Sequence, residues 1–307
     1  MMNIYEETKF LMKKYNISAN KNLGQNFLID DNVINNIVNV AEINKKDFII
    51  EIGPGLGTLT SRLVEKAGKV IAIELDKKML QILNDRFTLY DNFSIINQDV
   101  LKVDLNNLIQ KENIQNYTVK IVANLPYYIT TPIIMKLLEE KLNIDSITVM
   151  VQKEVADRLT VTPGEKNTGA ITYCMYYYAK PQEVLTVPNT SFVPEPKVNS
   201  EVIKLKIRKV PPVLLKDEKM FFKVVKASFM QRRKTLLNGL VNSGITSKEI
   251  LKKILKELNI SEDVRGENLS IEQFAEISNK LCWNKLTNYW QNGVIRRIII
   301  KVSYMRH

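Results

Sequence analysis

Between residues 31 and 160 the chain alternates two kinds of apolar pattern. The first is short and nearly continuous: "FIIEIG" (48–53), "KVIAIEL" (69–75), "FSIINQD" (93–99), "TVKIVANL" (118–125) and "SITVMVQ" (146–152). Such runs are too short for helices. Rich in Ile and Val and little alternated, they predict strands buried on both faces, as in a parallel sheet. The second pattern recurs at helical spacing in "NVINNIVNVAEI", "TLTSRLVEKA", "KKMLQILNDRF" and "TPIIMKLLEEK", and Asp30 or Asp31 can cap the first of these. Strands and helices in alternation predict a doubly wound α/β sheet with right-handed crossovers.

The pattern changes after about Thr160. "TYCMYYYAKPQEVLTVP" and "SEVIKLKIRKV" read as two strands joined by "VPNTSFVPEPKVNS", an antiparallel addition to the sheet edge. From Pro211 onward the pattern is helical: "DEKMFFKVVKASFMQRRKTLLNGL", "TSKEILKKILKEL" and "SIEQFAEISNKL". The expected organisation is an α/β domain over 1–210 with a polar N-terminal arm, a small all-helical domain over 211–281, and a tail over 282–307. That tail holds five basic residues besides His307 and no acid, and it receives no function.

Composition narrows the chemistry. His307, the last residue, is the sole histidine. That removes Ser-His-Asp and Cys-His catalysis and histidine metal centres. The two cysteines, Cys174 and Cys282, are far apart, which excludes a disulfide framework or a Cys-rich zinc site and predicts a reducing cytoplasm. No apolar run is long enough to span a bilayer, and the start lacks a secretory h-region. A formal net charge of +11 favours a polyanionic partner through counterion release.

"EIGPGLGTLTSRL" places Gly53, Gly55 and Gly57 between a strand and a helix, where a tight turn lets a ligand approach the backbone. Glu74 ends the next strand, where an acid meets ribose hydroxyls. The spacing is Gly-x-Gly-x-Gly, and no residue is evidently placed for a pyrophosphate, so one nucleoside-like ligand fits better than NAD. Asp99 of "NQDV" can accept from an adenine amino group at the same crevice. "VANLPYYITTP" ends the fourth strand beside it. The side-chain oxygen of Asn124 and the backbone C=O of Leu125 or Pro126 are acceptors, and Tyr127 offers a flat stacking face. Two acceptors on the protons of an exocyclic amino group would aim its lone pair at an electrophile. A base that has left its helix would stack on the ring.

"KNLGQNFLID", "EIGPGLGTLT", "AIELD", "NQDV", "NLPYYITTP", "VQKEVADRL", "SFVPEPKV" and "SFMQRRKTLLNGL" occur in this order. Over about residues 10–281 the chain resembles the bacterial ribosomal RNA adenine dimethyltransferases, most closely their small-subunit branch. The resemblance implies a Rossmann-like S-adenosylmethionine methyltransferase sheet with a helical C-terminal domain. It implies transfer of two methyl groups to N6 of each of two adjacent adenines near the 3′ end of small-subunit rRNA, during 30S biogenesis. Asn26 and Leu28 would contact the cofactor, Gly53 would lie beneath it, Glu74 would hold the ribose, and Asp99 and Val100 the adenine. Asn124, Leu125, Pro126 and Tyr127 would form the target pocket, with Asn124 also touching the cofactor. Phe192 would cover the other face of the flipped base, and Glu51 would lie near the positive sulfonium.

Arg232, Arg233 and Lys234 are read as an RNA-backbone contact on a helix. The expected partner is the rRNA of a precursor 30S particle, bound by a monomer without metal or membrane. A large-subunit rRNA adenine methylase of the antibiotic-resistance type shares the fold and similar pocket motifs. "VQKEVADRL", "SFMQRRKTLLNGL" and "RGENLSIEQF" favour the small-subunit type. A non-enzymatic assembly factor on this fold is disfavoured by the intact cofactor acids and "NLPY". An NAD-dependent oxidoreductase is disfavoured by the glycine spacing.

Overall fold

The computed structural model describes residues 3–20, 23–231 and 233–291. They group into two compact units. The first comprises Met1–Thr160 with Tyr178–Lys209, the second Val161–Tyr177 with Val210–His307.

The first unit is built on a mixed sheet of seven strands among the described residues. A two-residue strand β1 (Phe27–Leu28) stands apart from it. The predicted apolar runs become β2 (Asp47–Ile52), β3 (Lys69–Glu74), β4 (Phe93–Asn97), β5 (Thr118–Asn124) and β6 (Ser146–Gln152). They are followed by β7 (Ala179–Val187), the short β8 (Phe192–Val193) and β9 (Ser200–Ile207). The order across the sheet is β4-β3-β2-β5-β6-β9-β7. Strands β2 to β6 pair in parallel, while β9 runs antiparallel to both β6 and β7. β2 is buried along its whole length, which accounts for its unalternated apolar run. Full burial of one Ile or Phe stabilises by roughly 1.5–3 kcal/mol. The order reverses at β2, with β3 and β4 on one side and β5 and β6 on the other. A crevice therefore opens beyond the carboxyl ends of β2 and β5.

Asp30 rather than Asp31 caps the helix Asp31–Val40, its carboxylate accepting from the N–H groups of Asn32 and Val33. The N-terminal arm holds a helix that the sequence reading passed over, Ile4–Lys14. Asn3 and Glu6 form a reciprocal capping box at its start. Ile4, Thr8 and Leu11 are its buried face, spaced at i, i+4 and i+7. Half-buried Arg86 fixes this helix to the unit. Its guanidinium pairs with Glu7 at 2.7 Å and also donates to the carbonyl of Leu56.

Two sequence expectations are corrected. "TYCMYYYAK" is not the start of a strand, since Ala170–Tyr178 is a helix and the strand begins at Ala179. Its aromatic residues favour a strand by propensity, but packing decides. Tyr173 lies edge-on to Phe274 at 4.8 Å between centroids and donates from its hydroxyl to the carbonyl of Leu269, inside the second unit. The stretch 161–177 thus packs with the helices that follow 210, whereas the sequence reading ran the first domain unbroken to 210. The second correction is that "DEKMFFKVVKASFMQRRKTLLNGL" is two helices, Glu218–Phe229 and Leu236–Asn242. Thr235 caps the second by accepting from the N–H of Asn238. Arg233 and Lys234 lie in the exposed turn between them rather than on a helix.

The last helix runs from Ile271 to Gln291, so the stretch set apart as 282–307 begins inside it. Lys216 Nζ lies 4.6 Å from the ring centroid of Trp283 in that first part. Residues 292–307 lie outside the described residues.

Candidate active site

The crevice at the reversal point is an open cleft of about 1010 Å³, solvent at its mouth included. Five stretches of the first unit converge on it. They are the arm Leu23–Leu28, the glycine turn after β2, Glu74 and Leu75 at the end of β3, Gln98 to Val100 after β4, and Asn124 to Ile129 after β5.

The glycine turn is shaped by backbone demands. Gly53 has φ of +66° and donates its N–H to the carbonyl of Ile73, a left-handed conformation that costs glycine nothing. Gly57, at φ +81°, precedes the helix Thr58–Lys66, and a Cβ there would lie 2.7 Å from Phe87 Cε2. That third glycine serves the packing of helix on helix, while the first two line the cleft.

Two buried carboxyl groups flank this turn. Glu74 accepts from the N–H of Gly55 at 3.1 Å and of Asp76 at 2.8 Å. Burial raises its pKa above the ordinary carboxylate value, and those backbone donors oppose the rise. Glu51 on β2 accepts from Thr60 Oγ1 at 2.7 Å. Burial pushes its pKa up to about 8, with the Glu74 charge adding to the rise. A neutral Glu51 beside a cleft is a group waiting for a positive charge. At the far bank Asp99 Oδ1 accepts from the N–H of Leu101 at 3.0 Å and so caps a short 3₁₀ turn. Capping and cleft lining coexist in this one side chain.

The β5 end supplies the other bank. The Asn124 amide nitrogen donates to the carbonyl of Asn26 at 3.3 Å. This fixes the amide with its oxygen as the remaining group. The carbonyl of Pro126 is occupied twice, by the N–H of Ile129 at 3.2 Å and by Thr130 Oγ1 at 3.0 Å. Of the two carbonyls the sequence leaves open, that of Pro126 is thus already paired. Tyr127 opens a 3₁₀ turn with its hydroxyl 2.6 Å from Ser200 Oγ on β9. Tyr128, 54% exposed, also lines the cleft.

The sequence of residues 16–282 matches the family model for ribosomal RNA adenine dimethylase. The chain belongs to that family. It is 51% identical over 282 residues to the ribosomal RNA small subunit methyltransferase A of Bacillus cytotoxicus, covering 91% of this chain and 97% of that one. Against the protein of the same name from Geobacillus sp. it is 50% identical over 277 residues, 89% of this chain and 95% of the other. Among solved structures it resembles a dimethyladenosine transferase from Plasmodium falciparum, with a TM-score of 0.68 and 24% identity over 87% of this chain and 98% of that one. The 23S rRNA methyltransferase ErmE gives a TM-score of 0.64 and 23% identity over 83% and 99%. At such identities these two likenesses concern the fold alone.

Within the family fold, Asn26, Leu28, Gly53, Glu74, Asp99, Val100, Asn124, Leu125, Pro126 and Tyr127 all line the one cleft, as does Glu51. Phe192 does not. It is 1% exposed, pairs with Leu28 in the β1–β8 ribbon and belongs to the hydrophobic core. Arg232 lies outside the described residues, while Arg233 and Lys234 are exposed in their turn. Gln25 was passed over by the sequence reading. Its amide donates to Asp76 Oδ2 at 3.0 Å while its oxygen accepts from the N–H of Asn20 at 2.8 Å, tying the arm to the β3 bank. Only its place inside "LGQNFL" pointed to it.

Proposed function

We propose that this chain dimethylates N6 of two adjacent adenines near the 3′ end of small-subunit rRNA, with S-adenosylmethionine as methyl donor, acting as a cytoplasmic monomer on a precursor 30S particle. One observation carries the reading. Acids suited to a nucleoside and the Asn-Leu-Pro-Tyr acceptors share one cleft, in a chain half identical to small-subunit methyltransferases over most of its length. The fold alone does not separate the subunits, since the 23S methylase shares it. The sequence relatives favour the small one.

The residues present fit the cofactor. Glu74 would hold the ribose hydroxyls, Asp99 and Val100 the adenine, and the Gly53 turn with Asn26 and Leu28 the remainder. Bound there, S-adenosylmethionine supplies an electrophilic methyl group on a cationic sulfur. The protein's own task is to make a poor nucleophile react. The adenine amino lone pair is delocalised into its ring. Asn124 Oδ1 and the carbonyl of Leu125 accept hydrogen bonds from its N–H groups and favour a pyramidal nitrogen, while Tyr127 supports the base by stacking. The alkylated nitrogen is a strong acid and loses its proton to solvent, so the step needs no histidine. Incubating precursor and mature small-subunit particles with methyl-labelled cofactor, then mapping the rRNA by mass, tests the reading. Label on two adjacent adenines near the 3′ end is expected. Label on large-subunit rRNA instead, or none, refutes it.

Glu51 gives the reaction a pH signature. Its raised pKa leaves the carboxyl neutral in the empty protein at pH 7. Its contribution to stability is thus complete below the ordinary carboxylate range and is lost as pH rises through about 8,. A cationic ligand favours the carboxylate, so binding should release up to about one proton near pH 7 and tighten as pH rises toward 8. Calorimetry in buffers of different ionisation enthalpy should show more release with S-adenosylmethionine than with S-adenosylhomocysteine, which lacks the sulfonium. Equal release for both would move Glu51 away from the cationic centre.

We assign the exposed turn of the second unit to the RNA backbone. Arg233 and Lys234 precede a capped helix and form no ion pair among the described residues. Replacing both by Gln should lower RNA affinity and flatten its salt dependence by up to about 2 units of log–log slope, with cofactor affinity intact. An unchanged slope would make these residues merely solvent-exposed.

A further inference from the structure

The contact between Tyr127 and Ser200 has no part in the reaction as set out so far. Ser200 is fully buried. It opens β9 and is paired on both sides, to Gln152 on β6 and to Val187 on β7. The backbone around it is held as well. Lys153 N–H donates to the carbonyl of Asn199 at 3.0 Å, and the next residue, buried Glu201, accepts from Thr186 Oγ1 at 2.7 Å. A hydroxyl on such a strand cannot follow a moving ring, so the ring is held to it. At its other end Tyr127 follows Pro126, whose φ of −60° is fixed by its own pyrrolidine,.

We infer that Ser200 is a positioning residue, whose hydrogen bond to the Tyr127 hydroxyl holds in place the ring on which the target base stacks. The inference rests on the proposed placing of Tyr127 against that base. A phenylalanine would offer the same flat face. The tyrosine hydroxyl contributes an anchor, and the anchor lies on the antiparallel strand rather than on the parallel strands that supply the cleft acids. A ring tethered at both ends keeps one position. A ring free to swing about Cα–Cβ occupies it only part of the time, and the base must then order it on arrival.

The test compares the wild type with S200A, Y127F and the double variant. Three quantities are measured: kcat and KM on small-subunit particles, calorimetric affinity for S-adenosylmethionine, and the emission of 2-aminopurine placed at the target position of an RNA, which falls when the base stacks. Each single variant should lower kcat/KM about tenfold, the scale of one buried hydrogen bond, and weaken the quench. Cofactor affinity should stay unchanged. The double variant should be no worse than S200A, because one interaction is removed in all three. An impaired Y127F beside a normal S200A would mean that the hydroxyl acts on the substrate itself, and the inference fails. Normal kinetics and quench with only a lowered melting temperature would reduce the bond to a structural one and also overturn it. A wild type that methylates no particle would refute the proposed function and the inference with it.

Discussion

Asn124→Ala should lower the single-turnover rate of methyl transfer by about 100-fold or more at saturating cofactor. That is the scale for removing a preorganised polar group that acts in the transition state. The side chain is fixed through its amide nitrogen on the carbonyl of Asn26, so its oxygen needs no reorganisation when the amino group arrives. The substitution sits at the half-buried end of β5, where a smaller side chain leaves no core cavity, and the melting temperature should change little. Because Pro126 has spent its carbonyl on Ile129 and Thr130, only the carbonyl of Leu125 would then hold the amine. Rapid-quench measurement on small-subunit particles reads the effect. A near-normal rate would mean that Asn124 only shapes the turn before Pro126.

Glu74→Ala should weaken S-adenosylmethionine binding by about 2 kcal/mol or more, roughly 30-fold, as charge-assisted hydrogen bonds to both ribose hydroxyls disappear. A second effect adds to the first. The same carboxylate accepts from the N–H groups of Gly55 and Asp76, so its loss frees the glycine turn on which the ligand would rest. Glu74→Gln retains one acceptor oxygen and should lie between the two. Titration calorimetry on folded protein gives the answer, and an unchanged affinity for the alanine variant would remove Glu74 from the cofactor site.

The sheet was legible because full burial imposes an unmistakable composition. β2, β3, β5 and β6 need apolar side chains on both faces, and their runs predicted the strand positions to within a residue or two. The cleft followed from the same reading, since glycines and acids at strand ends mark the turns where a parallel sheet leaves room for a ligand. What escaped detection depended on contacts distant in sequence. Ala170–Tyr178 has strand-like residues, and its helix packs through Tyr173 on Phe229 and Phe274 and through Tyr177 on Phe221, all distant in sequence. The resemblance places Phe192 over the target base, yet in the β1–β8 ribbon its side chain is buried in the core. The arm helix was legible in principle from Asn3 and Glu6, but the stretch was weighed only as a targeting segment. The basic trio was assigned to a helix because nothing local in "FMQRRKTLL" announces a break. The cap at Thr235 becomes evident once the turn is seen.

The second unit is made from two separate lengths of chain, and this constrains how the protein can be cut or inherited. A gene truncated after Lys209 would still encode Val161–Tyr177 but would have lost the other helices of the unit to which that stretch belongs. Tyr173, Met175 and Tyr177, buried in the whole protein, would become an adhesive patch on the remnant. The helical unit is therefore no cassette that recombination could append to or strip from a finished methyltransferase sheet. A lineage exchanging it must replace an internal stretch and everything from Val210 onward together, so the two units are expected to descend as one block.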